Sequence, residues 1–251
     1  MSTISIPEAS QYKEGKDNST GTIEIPACFP GYGTTIGNAI RRVLLSSLEG
    51  AAITSVKIKG VSHEFSAIDG VMEDAVQIIL NLKQIRFHVH TDEKVVVSLK
   101  VKGEKEVTAA DIETSADVEV VDGSQVIATL TDKKSTLEME LTIEKGIGYV
   151  PSDQQVDREK ELGSIVIDAV YTPVRRVNYN VENMRVGKRT DYDKVTLEIV
   201  TDGSITPQEA FDRSVDILVE QFSALSGGGP VAVEDAVVEE TVAEEDEKRN
   251  K

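Results

Sequence analysis

From Thr136 to Gly146 the chain reads TLEMELTIEKG, with Leu137, Met139, Leu141 and Ile143 alternating strictly with Glu138, Glu140, Thr142 and Glu144. A period of two is the signature of a strand with one buried and one wet face, and no helix accommodates it. Val95, Val97, Leu99 and Val101 repeat the pattern, and AAITSVKIKG sets Val56 and Ile58 against Lys57 and Lys59 before Gly60 ends the run. The region from Phe87 to Val150 therefore reads as a small, mostly antiparallel sheet. Further strands are expected at Thr22–Pro26, Ser164–Val170, Arg176–Glu182 and Lys194–Val200.

Helical spacing appears on either side. PGYGTTIGNAIRRVLLSSLEG, from Pro30 to Gly50, places Ile36, Ala39, Ile40, Val43, Leu44 and Leu48 on one stripe, with Thr34 or Thr35 as the expected N-cap and Arg41 and Arg42 at the stripe's margins. A second helix is expected from Asp69 or Gly70, with Val71, Ala75, Ile78, Ile79 and Leu82 on a common face. In a third, Thr206 and Glu209 form a capping box around Pro207. Its apolar residues Phe211, Val215, Leu218, Phe222 and Leu225 are spaced as the seam of a helix that packs on another helix, and Gly227 to Gly229 stop it. The fold class is α+β. The acidic stretch that follows lacks aromatics and is expected to be disordered, and SDQQVDREKELG from Ser152 to Gly163 reads as a charged surface loop.

Bulk properties exclude several functions. A formal charge of -17 opposes broad wrapping of nucleic acid, which needs clustered Lys and Arg, and the absence of Trp weakens a base-stacking platform. The lone Cys28 excludes thiolate-rich zinc sites and an intrachain disulfide. No apolar run approaches the ~20 residues that span a bilayer, and the N-terminus lacks signal-peptide features, so a cytoplasmic protein without membrane contact is expected.

Candidate chemistry is sparse. Glycines 31, 33 and 37 miss the spacing of a dinucleotide loop and no Gly-Lys-Ser/Thr follows, so tight turning and close helix packing explain them better than phosphate binding. His88 and His90 lack a third ligand, Cys28 lies among Pro and apolar neighbours as a buried thiol does, and Asp69, Glu73 and Asp74 suit the start of a helix. No catalytic constellation, metal or cofactor is expected. An Arg-Arg pair beside an apolar helix face in an acidic chain suggests docking, because guanidinium groups grip carboxylates and carbonyls bidentately. Two solvated arginines on a core helix are the plainer reading.

The stretch PGYGTTIGNAIRRVLLSSLEGAAITSVKIKGVSHEFSAIDGVMEDAVQIILNLK resembles the N-terminal domain of the bacterial RNA polymerase alpha subunit. The likeness resumes in VTAADI, in GIGYVP and from Ile167 to Ala210, covering roughly residues 20 to 226 in collinear blocks. It implies a homodimer that serves the polymerase, a nucleotidyltransferase, as a non-catalytic assembly platform, taking the beta subunit on one protomer and beta-prime on the other, with DNA contacted only through the complex. It further implies a discontinuous dimerisation subdomain, 1–50 with 171–226, whose helices pack on an antiparallel sheet. A mostly antiparallel β subdomain, 51–170, is inserted into it, and an acidic tail, 227–251, follows.

By motif position, Asn38, Arg41, Arg42, Ser46, Ser47, His63 and Glu64 are implied to dock beta, with Arg42 foremost, and Lys83, Ile167, Asp168 and Val174 to dock beta-prime. Ile36, Ile40, Val43, Leu44, Phe211, Val215, Leu218, Phe222 and Leu225 are implied to build the dimer core, the stripe of the first helix facing the sister protomer. Members of this family usually continue through a linker into a second domain that binds upstream DNA, whereas this chain ends in GGGP and an acidic tail. A naturally short form without that activity is the expectation. Two rival readings are a free-standing enzyme using the glycine loop or the His88–His90 pair, and an alpha-like regulatory protein that sequesters the large subunits.

Overall fold

The computed structural model describes residues 4–15, 17–155 and 163–225. In chain order the elements are β1 (Gln11–Glu14), β2 (Thr20–Cys28), α1 (Tyr32–Ser46), β3 (Glu49–Ile58), α2 (Ala75–Leu82), β4 (Phe87–Val89), β5 (Val95–Lys102) and β6 (Lys105–Thr108). There follow β7 (Ile112–Glu113), β8 (Val118–Val120), β9 (Val126–Leu130), β10 (Thr136–Ile147), β11 (Tyr149–Val150), β12 (Ile165–Val166), β13 (Ala169–Val170), β14 (Val174–Val186), β15 (Arg189–Thr201) and α3 (Pro207–Leu225). The chain divides into two compact units, Met1–Leu218 and Val219–Lys251, and in the second only the helical stretch Val219–Leu225 is described. Among the described residues no helix is long and apolar enough to cross a membrane. The expected acidic tail, its glycine stop and most of the charged loop after Gln155 lie outside the described residues.

The first unit holds two principal hydrophobic cores. One lies under a four-stranded antiparallel sheet of order β1-β2-β15-β14 and takes in Ile23, Ile40, Leu44, Val177, Leu197 and Phe211. The other fills the space behind a five-stranded antiparallel sheet of order β12-β3-β10-β5-β7, with α2 packed into it through Ala75, Ile78 and Leu82. Leu137, Met139, Leu141 and Ile143 of β10 are all buried, as their alternation requires, and pair with β3 on one side and β5 on the other. This is an α+β architecture of helices on antiparallel sheets interrupted by a second, mostly antiparallel β region.

Helix α1 seats on the first sheet through glycine. A Cβ on Gly33 would lie 2.7 Å from Asp193 Cβ, and one on Gly37 2.8 Å from Tyr179 Cδ2, so both positions require the missing side chain for the helix to approach β14 and β15. Its start differs from the expected threonine cap. The helix begins at Tyr32 with Gly31 as N-cap in the left-handed region (φ 85°), and no local side chain caps it. The cap comes from a distant strand instead: Asp193 Oδ2 accepts the N–H groups of Gly31 at 2.9 Å and Gly33 at 3.0 Å.

Helix α2 begins at Ala75, five or six residues after the expected start. Asp74 is its N-cap, accepting from Gln77 N at 2.7 Å while Gln77 Oε1 accepts from Asp74 N. Glu73 is drawn aside because its carboxylate accepts the N–H and hydroxyl of Thr129 on β9, which holds the approach to the helix extended. The strand expected over Ser164–Val170 is two strands, because Ile165–Val166 pairs with β3 and Ala169–Val170 with β11. In α3 the expected capping box is present: Glu209 N donates to Thr206 Oγ1 at 3.2 Å and Thr206 N to Glu209 Oε2 at 3.1 Å.

Candidate functional site

Helix α1 presents a polar outer face. Asn38, Arg41, Arg42 and Ser46 are exposed and Ser47 half-buried. Among the described residues neither guanidinium makes a hydrogen bond or ion pair, whereas Ser46 Oγ donates to the Arg42 carbonyl at 2.8 Å and lies 3.0 Å from Ser47 Oγ. Beside them runs an open groove lined by Thr34, Asn38, Arg42, Val43, Tyr179 and Leu218. A guanidinium with no partner of its own, over a partly apolar trough, is free to take a carboxylate or carbonyl from outside.

A second groove lies on the region 51–170. It brings together His63 and Glu64, which the sequence reading gave to beta, with Lys83, Ile167 and Asp168, which it gave to beta-prime. Lys83, the C-cap of α2, pairs with Asp168 Oδ2 at 3.2 Å, and Asp168 Oδ1 accepts Ser152 N at 2.9 Å. His63 Nδ1 is 3.2 Å from Ser66 Oγ. Exposed Phe65 and Leu80 add apolar surface to the same groove, and the sequence reading passed over both.

Hydrogen bonding from Ser152 and the Lys83 ammonium hold the Asp168 carboxyl below the ordinary carboxylate value. A group with a depressed folded pKa stabilises the fold above its unfolded pKa, and that contribution is lost as pH falls through the folded value. Asp168→Asn is therefore expected to reduce the acid-induced loss of stability while leaving the neutral-to-alkaline part of the profile unchanged in shape. Urea midpoints taken from pH 7 down to pH 3 check this, and parallel profiles for the two proteins would refute it.

Burial corrects part of the expected contact sets. Ile167 and Val174 are 3% and 4% exposed, each inside one of the two cores, with Ile167 at the floor of the second groove. Ile40, Leu44 and Phe211 likewise sit in the protomer's own core, because the stripe of α1 lies on its own sheet rather than facing outward. Ile36, Val43, Val215 and Leu218 are half-buried. Further along α3, Phe222 and Leu225 are 62% and 83% exposed.

The other candidates have structural explanations. Cys28 is fully buried, and burial, with Asp193 adding to it, pushes its thiol up and away from the nucleophilic form. His88 and His90 stand exposed with ring centroids 4.7 Å apart, and no group of three metal-ligating side chains occurs among the described residues.

Comparison with known proteins gives this geometry a family. Residues 56–172 match the model for the RNA polymerase Rpb3/RpoA insert domain. The DNA-directed RNA polymerase subunit alpha of Symbiobacterium thermophilum is 49% identical over 236 residues, 94% of this chain and 74% of the relative. The chain belongs to the RNA polymerase alpha-subunit family. The alpha subunits of Moorella thermoacetica (49% identity, 84% of this chain and 67% of the relative) and Syntrophomonas wolfei (46%, 100% and 78%) agree. Within the alpha family the insert model starts in β3 and ends just before β14, so it takes in the second groove and leaves α1 and α3 outside.

Proposed function

We propose that this alpha-family chain is the homodimeric, non-catalytic assembly platform of a DNA-directed RNA polymerase, working in the cytoplasm and docking the beta and beta-prime subunits. The observation that carries the proposal is the outer face of α1, where Arg41 and Arg42 are exposed and unpartnered among the described residues. Arg42, with Asn38, Arg41, Ser46 and Ser47 around it and His63 and Glu64 on the insert, receives beta. Lys83 and Asp168 receive beta-prime, with Ile167 and Val174 shaping the surface from beneath. The dimerisation subdomain comprises 1–50 and 171–226 and the inserted subdomain 51–170, a division supported by the two separate hydrophobic cores.

Within the first unit, dimerisation uses the half-buried Ile36, Val43, Val215 and Leu218. In the second, the exposed Phe222 and Leu225 serve it as well, since a helix does not leave large apolar side chains in water without cost. The buried Ile40, Leu44 and Phe211 hold these helices in place from within. Reconstitution with beta and beta-prime tests the whole reading: the purified chain should sediment as a dimer, take up beta and then beta-prime, and yield a complex that transcribes. A monomer that captures neither subunit would overturn it, and an assembled complex without transcription would favour a sequestering alpha-like regulator instead.

A further inference from the structure

The two cores belong to one chain that crosses between them twice, once at Glu49 after Leu48 and once between Val170 and Val174. The crossings touch, since a Cβ on Gly50 would collide with the Tyr171 carbonyl oxygen. A third connection runs through the side chains of Arg86 and Asp202. Arg86, between α2 and β4, sends its guanidinium to the turn between β15 and α3, where Nε lies 3.2 Å from Asp202 Oδ2, while Nη1 donates to the Val170 carbonyl at the end of β13 at 3.4 Å. The two side chains are only 18% and 4% exposed.

That turn is held firmly on its own side. Asp202 N donates to the Pro173 carbonyl at 2.9 Å, and Asp202 Oδ1 accepts both the N–H and the hydroxyl of Ser204. Next to it, a Cβ on Gly203 would lie 3.2 Å from Val121 Cγ1, and Val121 N in turn donates to the Arg86 carbonyl. Burial lowers the Arg86 pKa, Asp202 opposes that, and neighbouring Arg175 adds to it. The Arg86 Nε–H itself finds no hydrogen-bond acceptor. A desolvated pair with imperfect geometry adds little net stability over an apolar pair of the same size, but it tolerates few alternative placements of its partners.

We infer that Arg86 and Asp202 form a latch that fixes the inserted subdomain on the helix-bearing one, and so sets the spacing between Arg42 and the His63–Lys83 groove. The consequence for binding rests on the docking reading above, in which the beta contacts are split between the two cores, Arg42 on α1 and His63 with Glu64 on the insert. A two-part surface held at fixed spacing binds without the cost of ordering its halves.

Nitroxide labels at Lys100→Cys, on β5, and Arg185→Cys, on β14, with unlabelled protomers in excess, report the intraprotomer distance by pulsed electron resonance; buried Cys28 stays unlabelled. Wild type and Arg86→Lys should give one narrow distribution, and Arg86→Met and Asp202→Asn broader ones. Both broadened variants should bind beta about tenfold more weakly, within the range of ordinary coupling between sites. An unchanged distribution in Arg86→Met and Asp202→Asn overturns the latch, and Asp202→Asn stands as the milder variant where Arg86→Met fails to fold. Broadened distances with undiminished beta binding overturn the coupling. An Arg42→Ala protein that still binds beta normally overturns the docking reading while leaving the latch to be judged on distances alone.

Discussion

Arg42→Ala is expected to leave the dimer and the fold intact and to weaken capture of the beta subunit by about 30-fold, the equivalent of an interface hot spot worth about 2 kcal/mol. The fold should not notice the change, because the guanidinium is exposed, has no intramolecular partner among the described residues, and gives way to the residue with the best helix propensity. The interface should notice it, because a planar fork offers paired hydrogen bonds that a methyl group cannot. Arg42→Lys separates charge from geometry: retained charge without the fork should recover only part of the affinity. Sedimentation of the variant alone, followed by titration with beta, reads both halves. A dimer that binds beta like wild type would remove Arg42 from the site, and a loss of the dimer would move it to the sister interface.

Much of the fold was legible because its determinants are local. The alternation in β10 and β5 demanded half-buried strands, and the Thr206–Glu209 box lies within four residues of the helix it starts. What the sequence could not show is set by residues far apart in the chain. The α1 cap comes from Asp193, more than 150 positions away, so the nearby threonines drew the attention their composition warranted. Glu73 read as an N-terminal helix residue until Thr129 claimed its carboxylate.

The same division governs the candidate site. Arg42 is exposed, as its place at the margin of the apolar stripe predicts, whereas Glu64, also exposed, was marked only by the family resemblance. The stripe of α1 was correctly seen as apolar, but periodicity carries no information on which neighbour covers it, and the glycines at 33 and 37 turn it onto its own sheet. Ile167 lies between two short strands with different partners, and the pairing, not the motif, decides that its side chain is buried at the floor of the groove while Asp168 stands half-exposed beside it.

Asp193→Ala is expected to cost about 2–4 kcal/mol, since one buried and one part-buried N–H group lose a charged acceptor and each charge-assisted bond is worth roughly 1.5–3 kcal/mol before relaxation. Both bonds converge on a single oxygen, Oδ2, so Asp193→Asn can retain them with its carbonyl and should lose only the interaction of the negative charge with the positive end of α1, about 0.3–1 kcal/mol. The ordering Asp > Asn > Ala follows from capping geometry and would not follow from bulk or polarity alone. Urea unfolding should show falling midpoints at constant slope, and amide exchange should speed first at Gly31 and Gly33. Because those glycines open the helix that bears Arg42, the Ala variant should also bind beta more weakly than its lost stability explains. Equal midpoints for Asn and Ala would mean that the charge, not the converging acceptor, holds the start of α1.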